Sequence, residues 1–261
     1  MSHYTVAVIT YTGTEEEVAE LLSPFDENIE VESYLHRTKK QIIKEGREHH
    51  EKALEEIQKF EKDKLIEILT NPGYDWYRCI LNARTDEDFY KIEAYEDMLG
   101  EDGNEYSTYN INSRWDWWEI GGRWNCCLRD YNGEYHNTLK IADWDYNYID
   151  PNDITHYSRF WEIAVEGAEP TEEEKEEFIL WYKPEYYIEK YGNKSNFIKS
   201  MMTFSTYALL TDEGWFEPGK MGWWGVSHAE PIDQGLWERD FTSLIDTFDK
   251  DMYVTIVDCH I

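Results

Sequence analysis

A chain of 261 residues with 55 acidic and 25 basic side chains carries a net charge of -30. That balance excludes tracking along a nucleic-acid backbone, which rests on Lys and Arg neutralising phosphates, and it excludes docking on anionic membranes. Basic protein surfaces are the partners it favours.

With 41% apolar and 16% aromatic residues the chain is nevertheless a folded one, long enough for a sizeable core. The cysteines, Cys79, Cys126, Cys127 and Cys259, form no C-x-x-C, which predicts a reduced, cytoplasmic protein. Residues 2–9 have no basic leader and no long apolar core, so no signal peptide is expected. No apolar run approaches the roughly 18 residues of a membrane span. The sequon Asn193-Lys194-Ser195 is expected to be unused in that compartment.

Residues 4–11 are β-branched and aromatic and read as a buried strand. Gly13-Thr14 caps a helix with Glu15, Glu16 and Glu17 in its first turn, and Ser23-Pro24 ends it. Residues 29–35 alternate as a short strand. Residues 38–69 are helical, with Ile42, Ile43, Leu54, Ile57, Leu65 and Ile68 as apolar positions. His49 and His50 lie here, but Ala53 occupies the next turn where a zinc-protease helix needs His, so a solvated face is the reading. Asn71-Pro72-Gly73 closes this region.

Residues 85–99 predict a further helix. Residues 84–108 hold nine acids and two bases. Asp86/Tyr90, Glu93/Asp97 and Asp97/Glu101 stand at i,i+4 on such a helix, the last two pairs placing carboxylates about 6 Å apart, near the phosphate spacing of a nucleic-acid strand. A solvated acidic face is the favoured reading. The alternative is a partner-binding face made of Asp86, Glu93, Asp97 and Glu101.

Gly103-Asn104 marks a turn, and residues 106–114 lead in extended or loop form to Trp115-Asp116-Trp117-Trp118-Glu119-Ile120-Gly121-Gly122-Arg123-Trp124. Asn132-Gly133, between residues 125–131 and 134–141, is a hairpin signal. Residues 144–151 form an aromatic loop and 160–165 a strand. Residues 169–191 make one or two helices, broken at Pro184. A strand at 205–210, a turn at 211–214, a helix at 236–248 and a final strand at 252–260 complete the chain. Strands at both ends with helices between them predict one α+β domain over 1–261. Its sheet is mixed or antiparallel, with a ferredoxin-like core and a helical insertion at about 38–70.

The tryptophan segment has two main readings. In the favoured one Gly121-Gly122 lets the backbone pass close to the sheet, Arg123 pairs with Asp116 or Glu119, and the indoles fill the core. In the other, Trp115, Asp116, Trp118, Gly121, Gly122, Arg123 and Trp124 meet Trp223, Trp224 and His260 around a flat ligand and its phosphate. A surface anchoring a protein interface is a third option. The run Gly214-Trp215-Phe216-Glu217-Pro218-Gly219-Lys220 nearly spells a P-loop. Met221 replaces the Mg²⁺-binding hydroxyl and Pro218 removes a cradling amide, so a hairpin tip is expected. In Asp258-Cys259-His260, neighbours on a strand face opposite ways, so Cys259 and His260 make no dyad, whereas Asp258 and His260 share a face. A satisfied pair is favoured there over a general base. His3, His36, His136, His156 and His228 are scattered, and no metal, cofactor or catalytic residue is assigned.

Residues 109–124, ending in Trp115-Asp116-Trp117-Trp118-Glu119-Ile120-Gly121-Gly122-Arg123-Trp124, resemble a family of uncharacterised bacteriophage and prophage proteins with a W-D-W-[WY]-x-[ILV]-G-G-R-W signature. Pro24-Phe25-Asp26-Glu27-Asn28, the segment 215–225 and Val257-Asp258-Cys259-His260-Ile261 are similar to the same family. The resemblance implies a phage setting and carries no activity. The expectation is a non-enzymatic protein of the host cytoplasm that binds and inhibits a basic host protein of defence or nucleic-acid handling. The alternative is a nucleotide or small-ligand domain, with an enzyme included. Self-association is left open.

Overall fold

The computed structural model describes residues 2–219 and 229–261. They divide into two compact units, residues 1–29 with 111–261 and residues 30–110. In chain order come β1 (His3–Thr10), α1 (Glu15–Leu22), β2 (Tyr34–Arg37), α2 (Lys39–Ile57), α3 (Lys62–Thr70), α4 (Asp75–Asn82), α5 (Asp86–Glu93) and β3 (Glu105–Ser107). There follow β4 (Trp117–Ile120), β5 (Leu128–Arg129), β6 (Tyr135–His136), β7 (Thr138–Lys140), α6 (Pro151–Ala164), α7 (Glu172–Glu177) and α8 (Pro184–Tyr191). The last are α9 (Lys194–Met202), β8 (Ala208–Thr211), β9 (Gly214–Phe216), α10 (Pro231–Ile245) and β10 (Tyr253–His260). The fold is α+β. Among the described residues no helix is long and apolar enough to cross a membrane.

The first unit is built on a mixed sheet of order β4–β10–β1–β8–β9, with β7 also paired to β10. β1 runs antiparallel to β10 and parallel to β8. The succession β1, α1, β8, β9, α10, β10 follows the β-α-β-β-α-β order of a ferredoxin-like core. The parallel neighbour of β1 is, however, the strand that follows α1, not the one after it. Side chains alternate across β1. Tyr4, Val6 and Val8 join Val18 and Leu22 of α1, Trp115, Val257 and Cys259 on one face. Ala7 and Ile9 join Ile256, Trp144, Phe241 and Ile245 of α10 on the other. Burial on both faces is why β1 and β10 are rich in β-branched and apolar residues on both sides of the pleat. Thr14 accepts from the Glu17 amide, and the Glu17 carboxylate accepts from the amides of Tyr11 and Thr12, fixing the start of α1. A third cluster lies between α6, α8 and α9, around Trp161, Tyr187, Tyr191 and Phe197.

Residues 160–165, expected as a strand, continue α6 instead. Asp150 caps that helix at the amide of Asn152, Pro151 opens it, and Trp161, Ile163 and Ala164 supply its buried positions. The Asn132-Gly133 hairpin is present with short arms, Leu128 opposite His136 and Arg129 opposite Tyr135.

In the second unit a capping box between Thr38 and Gln41 starts α2. α2, α4 and α5 pack around Ala53, Ile80, Ala83 and Phe89. A Cβ on Gly46 would lie 2.8 Å from that of Phe89, so glycine permits the close crossing of α2 and α5. The paired β2 and β3 bring Arg37 against Glu105. The helix expected over 85–99 ends at Glu93. Ala94 is extended, and residues 96–98 form a separate 3-10 turn.

Candidate functional site

Three strands of the first unit set one cross-strand row at the end of the sheet. His3 of β1 stands opposite His260 of β10, and His260 stands opposite Trp117 of β4. In the next row toward the sheet centre Thr5, Asp258 and Glu119 are aligned in the same way. The pleat puts both rows on the face that carries Ala7 and Ile256 further along.

Within this patch the two histidines are held by two different carboxylates. His3 Nδ1 lies 2.8 Å from Asp258 Oδ1, and His260 Nδ1 lies 2.5 Å from Asp116 Oδ1. A carboxylate only accepts, so Nδ1–H of each imidazole donates to it and each Nε2 is left as the free ring nitrogen. Nε2 of His260 is sealed from solvent and has no hydrogen-bond partner among the described residues. The two rings meet edge to face at 5.1 Å between centroids, and Trp117 lies 6.4 Å from His3. Asp258, 2% exposed, is further held by the amide of Arg123 at 3.0 Å.

The glycine pair makes that last contact possible. Gly121 and Gly122 have φ of +76° and +50°, in the left-handed region that glycine tolerates. A Cβ on Gly122 would lie 2.4 Å from the Asp258 Cβ, and one on Gly121 would strike Asn137. The chain therefore turns directly over the Asp258 carboxylate. Asp116 is pinned by its main chain, its amide donating to the His260 carbonyl and its own carbonyl accepting from Asn28 Nδ2.

The expected ligand residues separate onto two sides of the sheet. Trp115 is buried, its indole N–H donating to the Leu22 carbonyl, and Trp118 packs against the same core cluster. Trp124 packs against the cluster of the opposite face. Asp116, Gly121, Gly122, Arg123 and His260 gather at the histidine row. Arg123 is exposed and forms no ion pair among the described residues, so the expected pairing with Asp116 or Glu119 is replaced by its main-chain bond to Asp258. Trp223 and Trp224 lie outside the described residues. Asp258 and His260 share a face as expected but serve different partners. The structure adds His3, Trp117 and Asp258 to the group. The signal for them was the two-residue period of β4 and β10 together with the pairing of the terminal strands.

Cys259 faces the other way, fully buried beside Tyr4, and burial pushes its thiol well above the ordinary range. It is an inert core thiol.

The expected acidic partner residues do not form one helical stripe, because α5 ends at Glu93. Asp86 pairs with Arg47, and Glu93 with His49 at 3.0 Å. Asp97 and Glu101 lie beyond the helix and are exposed. A separate group in the β5–β6 hairpin, Asp130, Glu134 and His136, has ligand atoms within 4.8 Å of one another. Asp130 already accepts from the amides of Asn132 and Glu134 there, closing the turn.

No family model, no curated protein and no solved structure matches this chain.

Proposed function

We propose that the histidine row of the first unit is the binding site of a small, ring-bearing phosphorylated ligand of the nucleotide class. The observation that carries this reading is the pair of carboxylate-anchored imidazoles, His3–Asp258 and His260–Asp116, beside the half-exposed indole of Trp117 and the main chain of Arg123, whose exposed guanidinium forms no ion pair among the described residues. The indole offers a stacking face, the guanidinium a bidentate phosphate contact, and the His3 imidazole a position for proton transfer. The charge of -30 does not oppose a small ligand as it opposes a polyanion. Calorimetric titration with mono- and dinucleotides tests this. Arg123→Ala and Trp117→Ala are each expected to weaken binding about tenfold or more, the scale of one lost charge-assisted bond or stack. Absence of binding at millimolar nucleotide, or equal binding by both variants, refutes it.

The charge also supports a second reading, of a bacteriophage-type protein in the host cytoplasm that binds a basic host protein and inhibits a defence or nucleic-acid-handling complex. Affinity capture from host lysate over a salt series tests it. Capture of no basic protein at moderate salt counts against it.

A further inference from the structure

Between α7 and α8 the first unit turns apolar side chains outward. Trp181 is 78% exposed, and Ile179, Leu180 and Tyr182 are exposed with it. Four consecutive large apolar residues facing water are unusual, since isolated exposed apolar side chains are ordinary but contiguous ones mark an interface.

The segment is held in place at both ends. Phe178 is buried, its ring 5.0 Å from His156 and 5.6 Å from Phe160. Tyr182 stacks on Tyr186 with centroids 4.0 Å apart and planes at 20°. Pro184 then opens α8. Anchoring on each side presents Trp181 in a preset position, which lowers the entropy lost on binding.

The flanks are acidic. Residues 172–189 contain seven glutamates and two lysines. Glu174 is engaged by Arg159, Glu172 by Lys175 and Glu177 by His156. Glu173, Glu176 and Glu185 are exposed and have no ion-pair partner among the described residues. An apolar centre with an uncompensated acidic rim selects its occupant. A second copy of this chain would bring the same carboxylates against these, and an anionic lipid surface would be repelled.

We infer that residues 179–182 are the docking surface for a protein partner that offers an apolar helical stripe bordered by Lys or Arg, with Trp181 as the central anchor. This rests on the reading of the chain as a binder of a basic protein and names the surface and the complementary chemistry.

The test titrates the full chain with a fluorescein-labelled amphipathic helical peptide whose apolar stripe is bordered by lysines. A second peptide carries glutamates at the same positions. The lysine peptide is expected to bind, to bind more weakly as salt rises, and to lose about tenfold or more in affinity with Trp181→Ala, the loss typical of a central aromatic anchor. The glutamate peptide is expected not to bind. Equal binding of the lysine peptide by Trp181→Ala overturns the assignment. So does a sedimenting dimer abolished by that substitution, or Trp181-dependent binding to phosphatidylcholine vesicles, each of which names another occupant. Because no host protein enters the measurement, failure to capture one from lysate bears on the inhibitor reading alone.

Discussion

His260 Nδ1 and Asp116 Oδ1 stand 2.5 Å apart although 144 residues separate them in the chain. The main chain repeats the link, with the Asp116 amide 3.0 Å from the His260 carbonyl. Two bonds between the same two residues fix both the position of the imidazole and which nitrogen carries its proton.

That arrangement predicts a spectroscopic signature. In the unaltered protein His3 and His260 should both be Nδ1–H tautomers when neutral, readable by long-range ¹H–¹⁵N correlation of the imidazoles. Asp116→Ala should shift His260 toward the Nε2–H form and leave His3 as it was. Asp258→Ala should do the reverse. Equal response of both rings to either change would mean that the two pairs are not independent.

Trp115 and Trp117 are two residues apart and should respond oppositely to truncation. Trp115→Ala removes a buried indole and its bond to the Leu22 carbonyl. A loss of about 3–5 kcal/mol is expected, the usual cost of deleting a buried large aromatic. Trp117→Ala removes a half-exposed ring and should change stability by less than about 1 kcal/mol, as surface substitutions generally do. Denaturant unfolding of both variants separates these outcomes, and similar losses would contradict the placement of the two faces.

How much of this was legible beforehand depended on whether the signal was local. β1 and β10 announced themselves because both of their faces are buried, and Thr14 marked a helix start because its hydroxyl satisfies a free amide. The exchange of partners between Asp258 and His260 was not legible. The shared face of those residues follows from a period of two, but the identity of His3 and Asp116 as their partners follows only from which strands lie side by side. The residues 160–165 were misread because Phe160, Trp161, Ile163 and Val165 suit a strand by type, while the deciding features, Asp150 and Pro151, lie ten residues upstream. The early end of α5 had no marker of the kind that Pro or Gly supplies, since Ala94 favours helix intrinsically.

In the second unit the buried Glu105 accepts from Arg37 Nε at 2.6 Å, Arg37 Nη2 at 2.9 Å and the Tyr95 amide at 2.7 Å. Burial alone would raise its carboxyl, but the Arg37 bonds and the Tyr95 amide outweigh that and hold it below the ordinary glutamate value. A folded value below the unfolded one means that this contribution is present above the unfolded pKa. It is lost as pH falls through the folded one. Acid unfolding should therefore begin below about pH 4.3, the ordinary glutamate value, as far as this pair is concerned. Arg37→Ala should cost about 3–5 kcal/mol, because it leaves a buried carboxylate without its counter-ion. The loss should shrink in acid, where Glu105 is protonated. A loss independent of pH would remove the ion pair as its cause.

The four thiols should divide in alkylation by iodoacetamide near pH 8. Cys79 and Cys126 are exposed and should react first. Burial pushes the Cys127 thiol up to about 11, which should make it slow. Cys259 should be labelled only on unfolding. Peptide mass mapping over time gives the order, and early labelling of Cys259 would show that β10 opens under native conditions.

The first and last strands of the chain are the paired centre of the sheet, with His3 set against His260 and the amide of Ser2 donating to the carbonyl of Ile261. β10 is therefore synthesised long after β1, and the middle of the fold cannot close before it emerges. The high contact order of that pairing makes it a slow step of maturation. Until β10 arrives, the edge of β1 that it pairs with has its amides and carbonyls unpaired. A chaperone that shields that edge of β1 would accordingly protect the yield of native protein.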